Sequence, residues 1–365
     1  MRASFRTRLG HWALLALPLA AGSLLAACAS SPSAPPEAAS GAKDPAGSTA
    51  VAVPRPPLAS EELATQRRLE AHLAHLGGKV GERHPGKPWE LADAADYLAS
   101  QLEDMGYAIE RQGYEAGEVA AHNLIATVPG GAGGEQVILV AAHYDSPPSD
   151  AGRNAGGSGT AALLELARAL SKSELSRTLR FGFFALGESP HGDGPARGAR
   201  VYGESLAKRR AAAEAELARD AEAKASGALP AALPEPAVDR SRVVAVILLD
   251  RLLRFEQSSG ELEVRISASA DADAYQNALA DGLATPPLRA ARSRLERATP
   301  ESDASYFLTE GIPVVVVHGA SSGAAGADRP GTDDVDGLTR VVFGVRAALQ
   351  EAAGARASAS DPYFE

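Results

Sequence analysis

The chain has 365 residues, with 36 Lys and Arg against 46 Asp and Glu, a net charge of −10 and a pI near 5.4. Its basic residues are scattered, with no stripe of them interleaved with aromatics, which argues against a nucleic-acid surface and against direct adhesion to anionic lipid. Cys28 is the single cysteine, so no disulfide can form within the chain.

Residues 1–28 read as a targeting segment rather than as part of a fold. Arg2, Arg6 and Arg8 form a basic start, Trp12 to Leu25 an apolar stretch, and Leu25-Ala26-Ala27-Cys28 a small-residue cleavage site. That tetrapeptide resembles a bacterial lipobox, which makes Cys28 the expected lipidation site. The apolar run is too short and interrupted for a transmembrane helix. Residues 29–58, rich in Ala, Ser, Pro and Gly, are expected to form a disordered tether. A domain over 59–355, with a tail at 356–365, would then hang from a membrane through its lipid anchor, in the bacterial cell envelope with the outer membrane or periplasmic face favoured. About 300 residues are enough for one large α/β domain.

Apolar periodicity predicts helices over Glu61–Leu76 and Trp89–Met105, the second stopped by Gly106. Strands follow at Tyr107–Gln112 and Asn123–Val128, joined through Gly117, with a turn at Gly130–Gly134. Val137–Ala142 is a near-continuous apolar run, the mark of a strand buried on both faces. Gly159–Leu170 is helical, with Ala161, Leu164, Ala167 and Leu170 on one stripe. Further strands are expected at Leu179–Leu186, Val243–Leu249, Leu262–Ile266 and Pro313–Val317, and helices at Gly198–Ala223, Ala274–Leu283 and Val335–Ala352. The alternation predicts a three-layer α/β sandwich, its mixed, mostly parallel sheet covered by helices on both faces. Residues 207–240 form an insertion, first rich in Ala, Glu, Lys and Arg and then carrying Pro230, Pro234 and Pro236. It is either a solvated helix with a stiffened return or a lid over the crevice.

His143, Tyr144, Asp145 and Ser146 stand at the carboxyl end of the central strand, where an open α/β sheet forms its ligand crevice. AHYDS, then a loop, then the glycine-rich helix entry GRNAGGSG at Gly152–Gly159, resembles the zinc aminopeptidases of peptidase family M28. LRFGFFALGESP, VILLD, SDASYFLTEGIPVVVV and DDVDGL follow in the family's order, so the resemblance extends from about Leu69 to Leu349, most of the chain.

The resemblance implies two zinc ions sharing a bridging Asp, with a Glu next to a ligand Glu acting as general base on the metal-bound water. His143 falls on the first ligand position, Glu188 on the ligand Glu and Asp250 on the next ligand. The bridging position holds Ala155, the general-base position Gly187 and the final His position Arg329. Ser302-Asp303-Ala304 replaces a Ser-Asp-His triplet. His143, Glu188 and Asp250 are therefore remnant ligand positions, with zinc the implied metal if any is retained. Arg329 is expected to point at Glu188 in place of the lost ion, and Arg153 or Arg251 to serve Asp250 in the same way.

Other candidates carry bland readings. Glu188, His191 and Asp193 are close enough in sequence to form a new metal site, but loop carboxylates are usually solvated. His318 and His122 read as strand-end histidines. Asp333, Asp334 and Asp336 read as a charge cluster at a helix start. Gly157-Ser158-Gly159 lacks the second glycine and the preceding strand of a nucleophile elbow, and no phosphate-binding loop is present.

The expected function is a membrane-tethered, non-catalytic pseudopeptidase that keeps the scaffold or the peptide-binding crevice. The alternative is an active aminopeptidase with a divergent mono-metal site. Its partner would be a peptide or an envelope protein. Cys28→Ser is expected to leave an unprocessed precursor, seen as a mass increase on immunoblot. A mature chain that is soluble and begins at Ala29 would remove the lipid.

Overall fold

Val137 to Ala142 are all buried, and their alternation shows why. Ile138 and Val140 join one apolar cluster, with Leu98, Leu164 and Val341, whereas Leu139 and Ala141 join a second, with Phe184, Tyr202 and Phe307. A strand whose side chains alternate can serve two cores only when helices cover both faces of its sheet. Val246 and Leu248 divide from Ala245, Ile247 and Leu249 in the same way.

A computed structural model describes residues 55–188, 190, 194, 196–226, 241–258, 261–295, 302–319 and 334–354. The elements are α1 (Ser60–Ala74), a π-helical turn (His75–Val80), α2 (Pro88–Asp104), β1 (Glu110–Ala116), β2 (Val119–Val128), β3 (Gly130–His143), α3 (Gly157–Leu170) and β4 (Leu175–Phe184). After them come α4 (Gly198–Ser226), β5 (Arg242–Asp250), β6 (Glu256–Ser258), β7 (Glu261–Ala268), α5 (Asp273–Gly282), β8 (Leu288–Arg294), α6 (Asp303–Thr309), β9 (Val314–Gly319) and α7 (Val335–Gly354). The sheet runs β1-β2-β4-β3-β5-β9-β7-β6, with β8 also on β7. Its centre, β4-β3-β5-β9, is parallel, while β1, β2 and β7 pair antiparallel with their neighbours on that path.

This is the expected α/β sandwich with a mixed sheet, mostly parallel at its core. From β3 the chain crosses through α3 to β4 on one side, then through α4 to β5 on the other. That reversal opens a crevice at the carboxyl ends of β3 and β5. Helix α3 packs hard against β5: a Cβ built on Gly159 would lie 2.2 Å from the Leu249 carbonyl oxygen, so only glycine fits there.

Several expectations need correction. Gly130–Gly134 is the start of β3 rather than a turn; it pairs with β4 through register shifts that absorb its irregular geometry. β6, β8 and α6 were not predicted, because Leu288–Arg294 is largely exposed and alternates poorly, while α6 spans only 7 residues. In the insertion, Ala207, Arg210, Ala213 and Leu217 line a cavity of about 650 Å³ with Arg242 and Pro313. That cavity lies at the amino ends of β5 and β9, away from His143, so this part of α4 does not cover the crevice. Residues 227–240 and the three prolines lie outside the described residues, as do Cys28 and residues 1–54. Arg55 and Pro56, within the stretch expected to be tether, bond to α7: Arg55 meets Asp334 at 2.7 Å, and Arg340 donates to the Pro56 carbonyl. Among the described residues no helix is long and apolar enough to cross a membrane.

Arg83 ties the strand-end loop to the helical layer. It is fully buried and donates to the carbonyls of Leu76 at 3.1 Å, Gly81 at 2.9 Å, Ala151 at 2.8 Å and Gly152 at 2.8 Å, and also to that of Tyr144. Burial lowers its pKa to about 10, which still leaves it charged at neutral pH. Arg83→Met should cost about 3–5 kcal/mol in urea denaturation, because the carbonyls it serves would stay buried without donors. A loss below about 0.5 kcal/mol, the range of ordinary surface changes, would show that the cradle is dispensable.

Candidate functional site

Three strand ends meet at the crevice. β3 ends on His143, β4 ends on Phe184 and the turn after it leads to Glu188, and β5 ends on Asp250. His143 Nε2 lies 3.5 Å from Glu188 Oε1 and 3.5 Å from Asp250 Oδ1, while its Nδ1 faces Asp145 Oδ1 at 3.3 Å. The three sequence-expected positions are thus brought together, as parallel strands in register require.

Asp145 is the organiser that sequence reasoning did not assign a role. Its carboxylate accepts the backbone N–H of Gly187 at 2.7 Å and of Glu188 at 3.0 Å, fixing the turn after β4. Burial pushes its pKa up, but the His143 hydrogen bond and those two amides outweigh it and hold the carboxyl below its ordinary value. Burial pulls His143 down, but Asp145, Asp250 and Glu188 raise it well above an ordinary histidine. The position of Asp145, two residues after the strand-end His143, was the available signal.

Glu188 is held by Arg251, whose Nη2 donates to Oε1 at 2.8 Å and to Oε2 at 3.0 Å. Burial nevertheless raises the Glu188 carboxyl above its usual value, opposed by His143 and Arg251. Arg251 was expected at Asp250; its Nε stands 3.7 Å from that carboxylate, so its main partner is Glu188. Burial pushes Asp250 up, but His143 and Arg251 prevail and keep it at about 2. Its side chain is 35% exposed overall, yet Oδ1 is buried with no hydrogen-bond partner.

The residues present do not fit the implied pair of zinc ions. Ala155, at the bridging position, is fully buried and has no lone pair. Gly187, at the general-base position, lies against the imidazole: a Cβ there would stand 2.4 Å from His143 Cβ and 2.5 Å from Cγ. No side chain can grow from that backbone without displacing His143. A catalytic zinc needs three protein ligands and an open position. Among the described residues no group of three or more His, Cys, Asp or Glu is arranged to hold a metal ion.

The remaining candidates separate cleanly. Arg329, His191, Asp193 and Asp333 lie outside the described residues. Arg153 backs onto Gly77, where a Cβ would stand 3.1 Å from its own. Asp334 caps α7 by accepting from the Gly337 N–H at 2.8 Å, and Asp336 pairs with Arg340 at 2.9 Å. Ser158 is buried, donating to the Asn154 carbonyl at 2.7 Å and accepting from the Leu252 N–H at 2.8 Å, which is a structural role. His318 sits within 3.1 Å of the Gly319 carbonyl, with burial lowering its pKa.

This fold is shared with solved aminopeptidases. The aminopeptidase from Aneurinibacillus sp. strain AM-1 aligns with TM-score 0.57 at 16% identity, over 81% of this chain and 96% of that one. The zinc aminopeptidase BSAP from Bacillus subtilis gives 0.55 at 14%, over 81% and 97%. The glutaminyl cyclase of Porphyromonas gingivalis gives 0.53 at 18%, over 80% and 98%.

The family model described as "Peptidase family M28" matches residues 123–333, and the chain belongs to that family. Leupeptin-inactivating enzyme 1 of Streptomyces exfoliatus is 36% identical over 126 residues, 33% of this chain and 28% of that enzyme. A vacuolar membrane protease of Candida albicans is 35% identical over 95 residues, 24% of this chain and 11% of the protease. The match thus spans about a quarter or less of each curated relative's length. The chain is an M28-fold protein whose catalytic metal-binding positions are in part substituted, with no complete metal-binding cluster among its described residues.

Gly187→Ala should destabilise the fold by about 1–3 kcal/mol, since the added methyl forces either His143 or the turn to move. Thermal unfolding checks it, and an unchanged midpoint would mean that the turn is loose.

Proposed function

We propose that this protein is a non-catalytic member of its family, a pseudopeptidase that keeps the scaffold and the peptide-binding crevice without hydrolytic chemistry. The observation that carries this reading is that a Cβ on Gly187 would stand 2.4 Å from His143 Cβ and 2.5 Å from Cγ. A general base contributes typically 10²–10⁴-fold, and here neither a side chain nor room for one exists at the family's position. Ala155 and the Arg251 Nη2 contact with both oxygens of Glu188 support the same conclusion, because they remove ligand lone pairs from the crevice. The zinc-exopeptidase architecture, a lipid anchor at Cys28 and an envelope location belong to this proposal. They rest on the sequence motifs and on the likeness to bacterial aminopeptidases. A peptide or another envelope protein fits the retained crevice as partner.

Hydrolysis of aminoacyl anilides by the purified chain is expected to stay at buffer level with zinc, cobalt or manganese added. Residual turnover that survives Glu188→Ala is contamination. Turnover abolished by Glu188→Ala would overturn the proposal in favour of a mono-metal aminopeptidase.

A further inference from the structure

We infer that Arg251 supplies from within the chain the positive charge that a metal ion would supply here, and so bars a divalent cation from His143, Glu188 and Asp250. The inference rests on the non-catalytic reading of this site and deepens it.

His143 stands close to both carboxylates, although with Arg251 on Glu188 the three groups are not arranged as a metal cluster. Two ligands of one tetrahedral zinc, each at about 2.0–2.1 Å, stand about 3.4 Å apart. His143 Nε2 is 3.5 Å from one oxygen of Glu188 and 3.5 Å from one of Asp250. The buried Oδ1 of Asp250 makes no contact of full hydrogen-bond geometry, and the cation facing it is His143 Nε2 at 3.5 Å. What closes the site is the guanidinium, which engages both oxygens of Glu188 at 2.8 and 3.0 Å and also flanks Asp250 at 3.7 Å. Nη2 alone spans both oxygens, a charge-assisted contact that needs no cofactor, and a divalent ion beside it would meet a like charge at close range.

The backbone is built to hold the arginine there. Arg251 has φ of +48°, a left-handed conformation that a side-chain-bearing residue adopts only when its surroundings impose it. They do so on both sides of the turn. Ser158 Oγ accepts from the Leu252 N–H at 2.8 Å, Asn154 Oδ1 accepts from the Leu253 N–H at 3.0 Å, and the Arg251 carbonyl accepts from the Gly319 N–H at 3.2 Å. Asn154 adjoins Ala155 and Ser158 lies in the first turn of α3, so the segment that lacks the bridging carboxylate is the one that aims the arginine.

The test uses the full chain, stripped with chelator, and zinc alone as the probe. Wild type should show no zinc isotherm in titration calorimetry and no zinc-dependent shift in melting temperature. Arg251→Met should melt lower and gain both a zinc isotherm and a stabilising shift. The double variant Glu188→Gln with Arg251→Met should lose that gain and recover part of the melting temperature, because no buried carboxylate is left unpaired. Zinc binding by wild type overturns the inference, as does equal stabilisation of the single and double variants. A folded Arg251→Met chain without a zinc isotherm also overturns the inference, and should that variant fail to fold, Arg251→Gln is titrated in its place with the same two outcomes. A wild type that binds zinc but leaves the anilides intact sinks this inference alone, whereas hydrolysis abolished by Glu188→Ala sinks the non-catalytic reading.

Discussion

A guanidinium removed from water is tolerated only if its N–H groups find acceptors, and Arg83 meets that demand with main-chain carbonyls alone. Those carbonyls come from three places: the π-helical turn, the residue after β3, and the loop that leads into α3. One buried cation therefore decides where the loop bearing position 155 lies relative to His143. The backbone reinforces it, since Ser146 N–H donates to the Arg83 carbonyl at 2.9 Å and Arg83 N–H to Ser146 Oγ at 3.0 Å. Its charge has no carboxylate in direct contact, but Asp145 and Asp150 act on it through space.

That placement leaves three carboxylates, Asp145, Glu188 and Asp250, converging at the carboxyl end of a parallel sheet. Burying them without cations would be prohibitive. Each is balanced differently: Asp145 by amides and His143, Glu188 by Arg251, and Asp250 by both cations from farther away. Such pairs add little stability over apolar side chains, yet breaking one partner out of the set is costly. On the proposed reading, the crevice keeps its shape through side chains alone.

The sequence made the strands legible where their residues are buried on both faces. VILVAA and VVAVILL are apolar runs with one structural meaning, and His143 and Asp250 followed directly as their carboxyl-end neighbours. β8 was not legible, because its exposed Arg and Ser residues carry no period-two pattern. The start of β3 hid behind glycines that usually signal turns. Arg251 was visible as a cation next to Asp250, but its partner was misjudged, since adjacency in the chain says nothing about where a left-handed turn sends a side chain.

By itself, then, the sequence determined the order of the buried strands and main helices, while the loss of a bridging carboxylate at Ala155 and of a general base at Gly187 came only through its resemblance to the family. The strands and helices were legible because apolar period is local, and the site positions because the motifs keep the family's order and spacing. Only the tertiary structure decided that His143 leaves no room for a side chain at Gly187, that Asp145 holds the turn after β4, and that Arg251 faces Glu188. Each depends on backbone turns after separate strands that bring residues 42 to 63 positions apart within hydrogen-bond range. No window of sequence contains both partners, and the angle of a turn is set by the atoms that pack against it.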